Sequence, residues 1–117
     1  VETEFANPEP SREEIDHLSG PVLVEFGTDW CPHCQAVQPY LRELLARYPQ
    51  VRHVRVEDGK GRPLGRSFRV KLWPNLVFLR DGRVVVQLAR PTPQEVRAAF
   101  ELLAGGVQPA RSGKPDA

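Results

Sequence analysis

Val22-Leu23-Val24-Glu25-Phe26-Gly27-Thr28-Asp29-Trp30-Cys31-Pro32-His33-Cys34 runs from an almost wholly apolar segment into a pair of cysteines two residues apart. The apolar half reads as a strand buried on both faces, as in a parallel sheet, with one acid, Glu25, set inside it. Beyond the cysteines, Val37, Leu41, Leu44, Leu45 and Tyr48 recur at helical spacing, which predicts an amphipathic helix over residues 32–47. Pro39 lies inside that pattern and is expected to kink it. The cysteines therefore fall where a strand meets a helix N-terminus. Exposed N–H groups and a partial positive charge there favour a thiolate on Cys31, in reach of solvent. With Cys34 one turn further in, the pair can close into a small ring, as in a dithiol that shuttles between reduced and disulfide forms.

Cys-x-x-Cys spacing also serves zinc. A closed zinc site needs four ligands, and beyond this pair only His17, His33 and His53 offer imidazole nitrogens. His33, wedged between the cysteines, would be strained as a third ligand, so no metal is expected.

Working outward, Ser11-Arg12-Glu13-Glu14 is a capping box that opens a short helix, ended by Gly20-Pro21. Val51, Val54 and Val56 mark a second strand, followed by a polar, Gly-rich stretch over 57–62 and a short helix over 63–69. Asn75-Leu76-Val77-Phe78-Leu79 and Arg83-Val84-Val85-Val86-Gln87-Leu88 flank Asp81-Gly82, the signature of a tight antiparallel hairpin. Thr92-Pro93-Gln94-Glu95 opens a last helix, whose apolar face is Val96, Ala99, Phe100 and Leu103 and whose stop is Gly105-Gly106. Residues 1–106 thus read as one domain and 107–117, rich in Pro, Gly, Ser and charge, as a disordered tail.

At 117 residues the chain can bury a core without a structural disulfide or metal. Sixteen basic residues against fifteen acidic give no overall bias toward nucleic acid or a membrane surface. No stretch approaches the ~20 apolar residues of a spanning helix. The expected setting is cytoplasmic, or periplasmic if a signal segment has been removed.

The element order, parallel strands joined by helices and then a hairpin, predicts an α/β fold: a mixed sheet of about four or five strands flanked by helices on both faces. With the Trp-Cys-x-x-Cys motif and Trp73-Pro74 before the hairpin, the chain resembles the thioredoxin family over about residues 11–103, with four helices around the sheet. The resemblance implies that Cys31 attacks a substrate disulfide and that Cys34 resolves the mixed disulfide, with no cofactor beyond the Cys31–Cys34 pair. Glu25 takes the place of a buried acid that accepts the resolving cysteine's proton. Burial alone predicts a raised pKa for it, with an acid turned to solvent as the competing reading. Arg55 aligns with a lysine near that acid. Pro32-His33 is similar to the dipeptide of the strongly oxidising periplasmic thiol oxidase, and His33 is expected to tune redox poise or, failing that, to be a plain surface residue. Pro74 falls at the family's cis-proline. Trp30 and Trp73 beside it are expected to form the substrate-binding face. Gly27, where reductants often carry an aromatic residue, and Arg90, where a docking-surface glycine is usual, are departures. The implied partners are protein or peptide disulfides and an unidentified recycling partner, acting on a monomer. The alternative is a protein-binding or chaperone-like module of the same fold with incidental redox activity.

Overall fold

The computed structural model describes residues 4–105; Gly106 and the expected tail over 107–117 lie outside the described residues. The chain order is α1 (Arg12–Asp16), β1 (Pro21–Gly27), α2 (Pro32–Arg47), β2 (Arg52–Glu57), α3 (Pro63–Ser67), β3 (Asn75–Arg80), β4 (Arg83–Ala89) and α4 (Pro93–Gly105). The strands form one mixed sheet in the order β2-β1-β3-β4, with β1 and β2 parallel and the other pairs antiparallel.

Strand alternation assigns the two faces of β1. Leu23 packs with Val37 and Leu41 of α2 and with Phe100 and Leu103 of α4. Val22, Val24 and Phe26 point the other way, into a cluster with Ile15, Leu64 and Phe68. Glu25 shares the parity of Leu23, so its carboxylate enters the layer between the sheet and α2. The helix that starts at the cysteines is thus packed over the one acid in the central strand.

The local signals act as read. Ser11 and Glu14 cap α1 reciprocally, with Glu14 N–H donating to Ser11 Oγ (3.0 Å) and Ser11 N–H to Glu14 Oε1 (2.8 Å). Thr92 and Glu95 repeat the arrangement ahead of α4. Asp81 and Gly82 both have positive φ (52° and 79°), as a two-residue hairpin turn demands. At Gly82 a side chain would also run into the Asp16 backbone. Helix α2 runs continuously through Pro39. One boundary shifts. The short helix expected to reach Arg69 ends at Ser67, because Arg69 turns left-handed (φ 60°) and Val70 N–H closes back on Gly65 O (2.9 Å), burying Phe68.

Candidate active site

Cys31 is the N-cap of α2, with extended backbone (φ −82°, ψ 118°) and Pro32 at the first helical position. Its Sγ plays the part that a serine oxygen plays in other caps, accepting from Cys34 N–H at 3.3 Å. That inward turn corrects one expectation. Cys31 is only 5% exposed, scarcely more than Cys34 at 2%, so the leading sulfur is sheltered rather than open to solvent. The two sulfurs are not joined by a disulfide here.

The two thiols differ electrostatically. Burial pushes Cys34 up to about 12, with its hydrogen bond to Cys31 adding to the rise; the Thr28 backbone N–H works against it. At neutral pH Cys34 therefore holds its proton. Behind it lies Gly27. A Cβ there would stand 2.6 Å from Cys34 Sγ, so in this arrangement the sulfur or the added side chain would have to shift.

Glu25 is 1% exposed and surrounded. His53 Nε2 lies 2.8 Å from Oε1, Gln38 Nε2 donates to Oε2 at 2.6 Å, and Arg55 Nε stands 3.4 Å from Oε1. Gln38 also donates to Cys34 O (3.2 Å), linking the acid to the cysteine turn. The expected upward shift is overturned: burial does raise this carboxyl, but hydrogen bonding and charge from His53, the charge of Arg55 and the Gln38 amide together hold it below its ordinary value. Glu25 is thus a resident anion. Arg55 is confirmed as its neighbour. His53, considered in the sequence only as a metal ligand, is the partner that was missed. The available signal was its place two residues before Arg55, on the same face of a strand paired in parallel with β1 (Leu23 opposite His53, Glu25 opposite Arg55).

Trp30 and Trp73 do come together, ring centroids 5.7 Å apart and nearly perpendicular, with Trp30 70% exposed. Trp73 is fixed at both ends: its indole N–H donates to Asp58 Oδ2 (2.8 Å) and its carbonyl accepts from Arg90 Nε (2.9 Å). The Trp73–Pro74 bond is cis. Pro32 and His33 are exposed, and the hydrogen bond described at Cys31 Sγ comes from Cys34, not from His33. Among the described residues no group of three or more His, Cys, Asp or Glu gathers to hold a metal ion. No described helix is long and apolar enough to cross a membrane.

The thioredoxin family model matches residues 3–100. The reduced form of thioredoxin 2 from Pseudomonas aeruginosa PAO1 is similar in structure, with TM-score 0.79 and 57% identity over 90% of this chain and 98% of that one. Thioredoxin C-2 of Corynebacterium nephridii is 35% identical over 68% of this chain and 75% of its own length. Thioredoxin Asp f 28 of Aspergillus fumigatus is 37% identical over 56% of this chain; the match spans 60% of that relative's length. A dithiol at a helix start, carried on a mixed four-stranded sheet, is apparatus for protein thiol–disulfide exchange. The chain belongs to the thioredoxin family of disulfide oxidoreductases, which act on protein disulfides and need no cofactor for the exchange.

Proposed function

We propose that Cys31 is the attacking and Cys34 the resolving thiol of a protein-disulfide oxidoreductase. The Cys31 thiolate attacks one sulfur of a substrate disulfide; that S–S bond breaks, the other substrate sulfur leaves as thiolate, and a mixed disulfide forms. Cys34 then loses its proton and attacks Cys31 Sγ, closing the Cys31–Cys34 disulfide and releasing the second substrate sulfur. Two electrons pass to the substrate, and a recycling dithiol must return them. The supporting observation is the contrast at the helix start, one sulfur held as N-cap and the other kept protonated by burial. The contrast also times the second step. Once Cys31 is capped by substrate it no longer raises Cys34 through charge, so deprotonation becomes easier when it is needed.

Glu25 does not store a proton between cycles in this reading. It is a buried anion that takes up the Cys34 proton only transiently, and its hydrogen-bonded partner His53 lines a cleft of about 560 Å³ at the β2 edge, where solvent can carry the proton away. Trp30 and Trp73 provide the apolar ledge on which substrate docks beside Pro74. One copy of the chain carries all of these residues, and a monomer suffices. Neither cysteine is left over for a structural bridge, which favours the cytoplasm as the setting.

Iodoacetamide mapping of the reduced protein by mass spectrometry tests the assignment. Cys31 is expected to be alkylated first near neutral pH, Cys34 only as pH approaches about 12. Cys34→Ser should accumulate a mixed disulfide with a protein substrate and Cys31→Ser none; the reverse pattern would exchange the roles. Pro32-His33 is proposed to set the poise. His33→Gly should lower the equilibrium potential against glutathione by tens of millivolts, ~30 mV being ~1.4 kcal/mol for two electrons. An unchanged potential would make His33 a surface residue.

A further inference from the structure

A cleft of about 520 Å³ opens beside Trp73, and its lining is strongly basic: Arg62, Arg66, Arg69 and Lys71 against one carboxylate, Asp58. That carboxylate is engaged by the Trp73 indole, and Arg62 by Glu57 (3.0 Å). Among the described residues no acid forms an ion pair with Arg66, Arg69 or Lys71, all three exposed. Arg69 moreover holds a left-handed backbone (φ 60°) that glycine or asparagine adopts at lower cost. A chain of net charge +1 thus concentrates cations on one wall that includes Trp73, whose ring meets Trp30, the residue before Cys31.

We infer that this wall selects the substrate: the cleft receives an acidic polypeptide segment flanking the disulfide that Cys31 attacks. The inference rests on the oxidoreductase reading and adds the class of substrate to it. A polypeptide fits better than nucleic acid because the occupant must carry a disulfide past Trp30, and because the near-neutral chain lacks the broad positive field that polyanions exploit. Exposed charge pairs are individually weak, but several acting together bias encounter and docking, and they do so less in salt.

The test uses the reduced full-length chain in single turnover with disulfide-linked peptides of matched core sequence and acidic, neutral or basic flanks. The acidic peptide should react about tenfold faster than the basic one at low ionic strength, the ratio collapsing near ~0.5 M salt, where the screening length is only a few ångströms. Arg66→Glu with Lys71→Glu should abolish or invert the ratio. Arg52→Glu with Arg83→Glu changes net charge equally at the opposite end of the sheet and should preserve it. Equal rates for all peptides, or equal loss in both double variants, overturns the inference. So does a single-stranded oligonucleotide that displaces the acidic peptide more effectively than free acidic peptide of the same charge. Fluorescence anisotropy with a cysteine-free acidic peptide judges the cleft separately: salt-sensitive binding lost in the cleft variant supports it even if exchange chemistry fails, and no binding at low salt overturns it.

Discussion

Glu25→Leu is expected to destabilise the reduced protein by about 3–5 kcal/mol, the cost of removing one partner from a buried charge cluster and leaving the rest uncompensated. The side chains of Glu25 and His53 are 2% and 4% exposed and that of Arg55 10%, so little water can replace the lost carboxylate. Against a total stability of ~5–15 kcal/mol such a loss is large. Leucine has about the volume of glutamate, which isolates the electrostatic effect from a cavity. The triple variant Glu25→Leu, His53→Leu, Arg55→Leu should recover most of the loss, since exchanging a whole buried cluster for apolar side chains is often neutral. Urea unfolding midpoints of the three proteins decide this; a single variant as stable as the parent would show that the cluster contributes nothing. The pH dependence has a definite sign. Glu25 titrates in the folded state below its usual 4.5, so its contribution is complete above that value and is lost as pH falls through the lower folded one. Acid unfolding should therefore begin below about pH 4.5 in the parent and be less steep in the triple variant.

The overturned expectation for Glu25 shows where sequence reading stops. What is written locally was legible: the apolar run of β1, the helical repeat of α2, two capping boxes and the Asp81-Gly82 turn. Each depends on residues a few positions apart, and each forms. The burial of Glu25 was also legible, from its own strand. The sign of its pKa was not, because it is decided by residues that reach it only through β-strand register and helix packing. His53 and Arg55 come from a neighbouring strand 28 or more residues away, and Gln38 from the helix above. Desolvation argued alone gives a rise; three partners reverse it. The sheltering of Cys31 was missed for a related reason, since a cysteine at an N-cap turns its sulfur in toward the helix N–H groups instead of out to water. The basic wall beside Trp73 was equally hidden. In the sequence its cations are spread over 62–71 among glycine, proline and apolar residues, and only the turn at Arg69 gathers them.

Gly27→Ala is expected to slow resolution of the mixed disulfide by about 10- to 100-fold while leaving the first attack by Cys31 within a few-fold, because misplacing a reacting atom by about an ångström can cost that much. The added Cβ would stand 2.6 Å from Cys34 Sγ and 3.5 Å from its Cβ, and Cys34 is 2% exposed, with little room to retreat. Any rotation of the sulfur also weakens its interaction with the Thr28 backbone N–H, one of the few influences that lower its pKa. Two effects on stability compete. Alanine restricts the unfolded chain more than glycine does, worth about 0.4–1 kcal/mol in favour of folding. Crowding a packed site costs about 1–3 kcal/mol, so net destabilisation is expected. Combining the substitution with Cys34→Ala removes the obstructing sulfur and should restore stability to at least that of Cys34→Ala alone, a coupling that only direct contact between the two positions would produce. Rapid-quench single turnovers separate the kinetic phases: accumulation of mixed disulfide with normal onset is the expected trace. Resolution at the parental rate, together with simple additivity of the two substitutions, would mean that the sulfur has another place to go and that Gly27 does not position it.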